Sequence, residues 1–233
     1  MSDVDVSRLP LVTELSGSLA DRVYSVLKKA ILTLEFAPGA TIRKSAVCDW
    51  LNVSRSPVSD ALTKLGAEGL VDIVPQSGTR VSRLSMTAIR EGAFMREALE
   101  VAATQHAALH RSDGALSRLT RNVEMQKLLI ADVDKEDFIY TDIAFHETIM
   151  ATTDVSRLPG TVRMLSQHVD RARMLMVPEP GRLSDTVDEH LQILDAIRKR
   201  DSDAAGDAMR DHVRQLIKRL EPLEAARPDM FLK

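Results

Sequence analysis

Apolar residues recur at three- and four-residue spacing from about Ser18 to Leu34, through Leu19, Val23, Val26, Leu27, Ala30, Ile31 and Leu34. That period predicts a helix with one buried face. The run Phe36-Ala37-Pro38-Gly39 breaks it. A short helix from about Lys44 to Leu51 and a third from near Ser54 to Gly66 are joined through Asn52-Val53-Ser54, and so short a junction predicts a helix-turn-helix. Ser54 suits the cap of the third helix, and Pro57 is tolerated in a first turn, where its missing amide hydrogen has no intrahelical partner. The stretches Leu70-Val71-Asp72-Ile73-Val74 and Thr79-Arg80-Val81 flank Pro75-Gln76-Ser77-Gly78. They predict a β-hairpin, the wing of a winged helix.

From Ser85 onward the period is helical, with breaks at Ser112-Asp113-Gly114, Asp132-Val133-Asp134, Thr152-Thr153-Asp154, Pro178-Glu179-Pro180-Gly181 and Asp201-Ser202-Asp203. About six helices with short connections predict a bundle. The fold class expected is therefore mainly α: an N-terminal winged helix-turn-helix over residues 1–83, then an all-helical bundle over residues 84–233. The last residues, from Arg227-Pro228-Asp229, are expected to fray.

Composition narrows the function classes. Aromatic residues make up 3% of the 233 residues, too few for an all-β fold, whose strands favour aromatic side chains. No apolar run approaches the length of a membrane span. The single cysteine, Cys48, excludes an internal disulfide framework, and the polar N-terminus predicts a cytoplasmic protein. The net charge of -3 argues against a nucleic-acid partner until its distribution is read. Residues 1–83 carry ten Lys and Arg against nine Asp and Glu, a net +1, whereas residues 84–233 carry twenty-one against twenty-five, a net -4.

A helix whose N-terminus carries Ser54, Arg55 and Ser56 presents hydroxyls, amides and a guanidinium to a DNA groove; phosphates favour helix N-termini, and arginine reaches a guanine edge bidentately. With Pro38-Gly39-Ala40-Thr41-Ile42, Val53 to Leu62, Glu68-Gly69-Leu70-Val71 and Gly78-Thr79-Arg80-Val81, this stretch resembles the winged-helix domain of GntR-family transcription regulators over about residues 17–82. The resemblance implies that Arg55 reads bases, that Ser54 and Ser56 lie near phosphate and that Ser77-Gly78 form the wing tip in the minor groove. Ser59 stands where the family usually has a second base-reading arginine, and Ser45 where some members have another. Arg43, Lys44, Lys64 and Arg80 are candidates for phosphate contact.

Three bundle helices carry polar residues on apolar stripes. Ile139, Asp142, His146 and Ile149 share one; Leu183, Val187, His190, Leu194 and Ile197 share the next; Ala205, Met209, His212, Leu216 and Leu220 share the third. A buried carboxylate needs a partner, and one Asp with three neutral imidazoles suits a divalent transition metal. Each histidine taken alone is more readily a satisfied core residue; four such residues together favour a metal. The pattern resembles the FCD ligand-binding domain of the FadR-like GntR branch, in which the matching Asp and His residues commonly bind such an ion. Zinc is the first expectation, with nickel, manganese or iron as alternatives. Arg96 and Glu100 fall on the inward stripe of the first bundle helix and match an Arg-x-x-x-Glu pattern of that domain, where the resemblance implies an arginine meeting an effector carboxylate. A buried ion pair between the two is the alternative. His168, Arg171 and Arg173 are further effector candidates whose facing the periodicity does not decide, while Met174 and Met176 read as core filling.

These readings converge on a metabolite-responsive transcriptional regulator: a homodimeric repressor binding a double-stranded operator, with no membrane partner, modulated by a small carboxylate beside a divalent metal. Effector binding would shift bundle packing and so the placement of two DNA-binding domains. The alternatives are a metal-dependent hydrolase, since such a site can activate water, and an interaction module whose acidic bundle only dimerises. Glu147 and Glu189, the nearest general bases in sequence, adjoin the candidate ligands at helical angles expected to point them elsewhere.

Overall fold

The computed structural model describes residues 3–10, 15–74, 78–132, 135–177, 179 and 181–232, which form two compact units. The first comprises Met1–Met86 and Glu224–Lys233. Helix α1 (Leu19–Leu32) starts at Ser18, whose hydroxyl accepts from the Asp21 amide, and buries Val23, Val26, Leu27, Ala30 and Ile31. Helices α2 (Lys44–Leu51) and α3 (Arg55–Ala67) follow. The turn between them works because Asn52 adopts φ 51°, a left-handed conformation that a short polar side chain tolerates, and the Val53 amide bonds back to the Cys48 carbonyl. Pro57 occupies the first turn of α3, whose Val58, Ala61, Leu62 and Leu65 complete the core with α1.

The wing has one strand more than its sequence pattern predicts. Strand β3 (Gly78–Val81) pairs antiparallel with β2 (Val71–Val74) and also with β1 (Thr41–Ile42). Two residues are too few for alternation to register. The chain end also departs from expectation. Phe231 is buried and bridges Leu84; the Leu84 amide bonds to the Met230 carbonyl at 2.9 Å and the Leu232 amide to the Leu84 carbonyl at 2.8 Å. Burial of one large aromatic side chain offsets the entropy that otherwise frays a terminus.

The second unit, Thr87–Leu223, draws on α4 (Met86–His110), α5 (Asp113–Ala131), α6 (Lys135–Met150), α7 (Leu158–Leu165), α8 (Gln167–Met176), α9 (Arg182–Lys199) and α10 (Ser202–Ala226). The bundle has seven helices among the described residues, because the segment after Asp154 divides at Ser166, which ends α7 and caps α8. Gly92 permits α4 to approach α7 closely: a Cβ there would lie 2.9 Å from the Leu165 carbonyl oxygen. Helix α5 packs on both α6 and α9, around a core that includes Val123, Phe145, Ile193, Ile197 and Met209. The polar cluster described next lies within this apolar setting.

Candidate functional site

Helices α6, α9 and α10 carry His146, His190 and His212 inward, since each lies on its helix's apolar stripe, and all three are buried. One ring nitrogen from each lies within 4.8 Å of the others, and the Nε2 atoms of His146 and His212 are 3.3 Å apart. That spacing is close to that of two nitrogens sharing an ion at about 2.0–2.1 Å. The opposite ring edges are each held. His146 Nδ1 lies 2.6 Å from Glu100 Oε2, His212 Nδ1 lies 2.7 Å from Glu189 Oε2, and His190 Nδ1 lies 2.8 Å from Gln126 Oε1. The Phe145 ring stacks on His190 with centroids 4.2 Å apart.

Protonation follows from these partners. A carboxylate only accepts, so Glu189 places the proton of His212 on Nδ1, and Glu100 Oε2, in ion-pair contact with His146 Nδ1, favours a proton there as well. Burial holds His190 well below its ordinary range, aided by His212; burial likewise lowers His212 against the opposing pull of Glu189. The Nε2 atoms of His146 and His212 then face each other at 3.3 Å in a dry core. Such a pair repels unless a cation or a shared proton lies between them, so the donor set fits a divalent metal.

Asp142 lies beside the cluster and is fully buried. Arg173 binds its Oδ2, while Oδ1 lies 3.7 Å from His190 Nε2 and has no hydrogen-bond partner among the described residues. Burial pushes the Asp142 carboxyl up, but Arg173, His146 and His190 outweigh burial and leave it below the usual carboxylate range. Asp142 therefore stands as an ionised oxygen donor next to three nitrogens.

The effector candidates divide. Arg96 Nε meets Glu100 Oε1 at 2.6 Å, both side chains buried. The Arg96–Glu100 pair is the buried i,i+4 ion pair weighed as the alternative in the sequence, and the second Glu100 oxygen faces His146. Burial raises its carboxyl, and Arg96 with His146 brings it below the ordinary range. Arg173 is engaged by Asp142 and lies 3.8 Å from Asp170. Arg171 is fully buried on α8, and His168 is half-buried on the same helix.

Four residues near the cluster have no signal in the apolar pattern. Gln126 and Glu189 orient histidines. Arg182, 9% exposed, has an Nη1 with no hydrogen-bond partner among the described residues, 3.9 Å from Glu189 Oε1. Arg219 lies 3.3 Å from the same oxygen. Burial lowers the Arg182 guanidinium, and Arg219 adds like-charge repulsion. Glu189 precedes His190 on α9, about 100° away around the helix, and that angle aims it at His212 on α10 rather than away from the site.

The depressed histidines set a pH window. The unfolded chain takes up the extra protons first, so stability is complete above the ordinary value of 6.5 and falls as pH drops below it toward the folded values. The slope is about 1.4 kcal/mol per pH unit for each histidine in that window. Asp142 and Glu100, held low, add their losses only below about pH 4. Urea unfolding of metal-free protein is expected to be flat from about pH 7.5 to 6.5 and to lose stability between about 6.5 and 5.5. An unchanged midpoint across the lower interval would contradict neutral buried histidines.

On the first unit, Ser54, Arg55 and Ser56 lie exposed at the start of α3. Ser54 takes the N-cap position but its side chain makes no capping bond. Arg55 makes no ion pair or hydrogen bond among the described residues. Ser59 is half-buried one turn on, and Lys44 is exposed at the start of α2. Arg43 pairs with Asp3 at 2.7 Å, an exposed bridge of little strength. Arg80 is half-buried on β3, Gly78 opens that strand at φ 98°, and Ser77 lies outside the described residues. Lys64 is not brought to this face. It stands on the side of α3 opposite Arg55, 3.6 Å from Asp21 and over the Tyr24 ring of α1 at 4.0 Å.

Residues 19–81 match the family described as bacterial regulatory proteins, gntR family, and residues 91–215 match the FCD domain. The chain is 30% identical over 210 residues to the HTH-type transcriptional repressor RspR of Escherichia coli (strain K12), covering 90% of this chain and 92% of the relative. It is 32% identical over 209 residues to an uncharacterized HTH-type transcriptional regulator in an unstable DNA locus of Streptomyces ambofaciens, covering 90% and 88%. In fold it is similar to E. coli McbR/YncC, with a TM-score of 0.76 at 20% identity over 89% of this chain and 99% of that one. A putative transcriptional regulator GntR from Rhodococcus sp. RHA1 gives 0.76 at 22% identity over 88% and 99%. No described helix is long and apolar enough to cross a membrane. None of these relatives supports the hydrolase reading. Taken with the helix-turn-helix, its wing and the helical bundle, the matches show that the chain belongs to the GntR family of bacterial transcriptional regulators, with an FCD domain following its DNA-binding domain.

Proposed function

We propose that this regulator is a cytoplasmic, homodimeric repressor whose operator affinity is set by a small carboxylate bound beside a divalent metal in the bundle. In this reading residues 1–83 bind DNA and residues 84–233 bind the effector and dimerise. The repressing sense is supported by the repressor named RspR, to which the chain is similar. The observation that carries the site is the pair of Nε2 atoms of His146 and His212 facing each other at 3.3 Å, with His190 and the unpartnered Asp142 oxygen beside them.

His146, His190, His212 and Asp142 would hold the ion, zinc first, with nickel, manganese or iron as alternatives. When bound, the ion supplies a Lewis-acid anchor for an anionic oxygen. Glu100, Gln126 and Glu189 keep the imidazoles in register. Arg182 Nη1, buried with no hydrogen-bond partner among the described residues, would donate to a carboxylate, and Arg173 would exchange Asp142 for one. Arg96, Arg171 and His168 complete the candidate effector set. A bidentate guanidinium bond then selects a carboxylate over a neutral ligand. A thermal-shift screen of mono-, di- and tricarboxylates on zinc-loaded and chelator-treated protein tests this. Stabilisation that requires zinc supports the site, and equal shifts without zinc contradict it.

At the DNA end, Arg55 would read bases with Ser59 at the position next to it in the groove, Ser54 and Ser56 would lie near phosphate, Ser77 and Gly78 would form the wing tip in the minor groove, and Arg43, Lys44 and Arg80 would contact phosphates. Arg55→Ala is expected to cost about 1–3 kcal/mol of binding to a specific duplex and little on random DNA. Equal losses on both, read by fluorescence anisotropy, would make Arg55 a phosphate contact instead.

A further inference from the structure

His190 differs from the other two histidines in its partner. His212 bonds a carboxylate, whose acceptor-only character fixes the tautomer at once, and His146 Nδ1 lies 2.6 Å from another. His190 Nδ1 faces the side-chain amide of Gln126, which can present either an oxygen or an NH2 group. An amide facing a neutral imidazole therefore decides nothing unless its own orientation is decided.

That orientation is fixed by a chain of hydrogen bonds with a one-way end. Asn122 Nδ2 donates to the Thr141 backbone carbonyl at 2.9 Å, and a carbonyl oxygen only accepts. Asn122 Oδ1 is thereby turned toward Gln126, whose Nε2 donates to it at 2.8 Å. Gln126, fully buried, has its oxygen left for His190. An imidazole facing that oxygen at 2.8 Å must carry its proton on Nδ1. The lone pair of His190 then lies on Nε2, toward Asp142 and the other histidines. The Phe145 ring, stacked at 18° to His190, fixes the plane in which this choice is made.

We propose that Asn122 and Gln126 form a positioning relay, anchored on the Thr141 carbonyl, that sets the tautomer of His190 and so makes its Nε2 a metal donor. The relay runs along one face of α5, at positions four apart, and reaches α6 at one end and α9 at the other. It rests on the metal reading for its purpose but not for its existence. A carboxylate at position 126 would fix the same tautomer while adding another buried negative charge to a site that already holds Asp142, Glu100 and Glu189. The amide relay fixes it without charge, keeping the site's negative charge low enough for an anionic ligand to enter.

Two readouts separate the relay from the metal reading. The first is the nitrogen-15 chemical shift pattern of the His190 ring in the metal-free protein, which reports the tautomer directly. The second is zinc affinity by competition with a chromophoric chelator. Wild-type protein is expected to show the Nδ1-protonated tautomer. Gln126→Leu is expected to lose that bias and to bind zinc about 10–100-fold more weakly, the range for an outer partner of a metal-ligating histidine. Asn122→Leu keeps the Gln126 amide but frees it to turn, and is expected to give a mixed tautomer with a smaller loss. Gln126→Glu keeps an acceptor and is expected to restore the Nδ1-protonated form, which guards against reading a folding defect as a lost relay. An unchanged tautomer in both leucine variants would overturn the relay, whatever zinc does. A shifted tautomer with wild-type protein that binds no zinc would uphold the relay and remove the metal reading.

Discussion

Replacing His190 with alanine is expected to lower zinc affinity by more than the roughly 10–100-fold that an outer-shell change costs, because it removes a donor and leaves a pair of imidazoles in place of a cluster. The stability added by zinc should fall with it, since an ion that binds only the folded chain stabilises in proportion to the logarithm of its concentration over its dissociation constant. The thermal midpoint of the variant is expected to be insensitive to zinc over concentrations at which the wild type rises. A wild-type response in the variant would mean that the ion sits elsewhere.

The second large effect is expected at Glu100. Its two oxygens meet Arg96 at 2.6 Å and His146 at 2.6 Å, in a place where it is 1% exposed. Glu100→Leu leaves the Arg96 guanidinium buried without its partner, and breaking such a pair from one side costs about 3–5 kcal/mol. Glu100→Gln keeps the shape and part of the hydrogen bonding, so its cost is expected nearer to about 1–3 kcal/mol. Urea unfolding of both variants without metal measures this. A loss below about 1 kcal/mol for Glu100→Leu would mean that the Arg96 charge finds water or another carboxylate.

Much of the molecule was legible in its sequence because the signals were periodic. The stripe from Val23 to Ile31 and the stripes carrying His146, His190 and His212 repeat over several turns, and repetition places a side chain inside without knowledge of its neighbours. The features that escaped it depend on contacts between distant segments. β1 is two residues long and exists because β3 lies beside it. Phe231 is one aromatic residue near a chain end, and only its bridge to Leu84 shows why it is ordered. Gln126 reads as a polar interruption in α5 until α9 brings His190 to it. Glu189 points away from the other ligands by helical angle on α9 alone, whereas its partner His212 belongs to α10. Lys64 was grouped with Arg55 by charge, although nine residues along a helix set the two on opposite sides.

The same distinction explains the effector candidates. Arg96 and Glu100 were both placed inside by periodicity, but only the structure assigns Glu100 to His146 and leaves Arg182 with a buried amine to spare. A cluster built from ionised carboxylates, neutral imidazoles and guanidinium groups in a dry core is sensitive to any added ion or anion. In the proposed function that sensitivity would couple the cluster to helix packing and, through packing, to DNA.

In the proposed function the histidine cluster governs DNA binding. Its most direct measurement is the affinity of zinc-loaded wild type and His190→Ala for a duplex selected from random DNA, each with and without the carboxylate that gives the largest thermal shift. A change of about 5–150-fold is expected on adding the carboxylate to the wild type, the usual span of allosteric coupling, and no change in the variant. Equal affinities with and without carboxylate in the wild type, or the same change in both proteins, would contradict it.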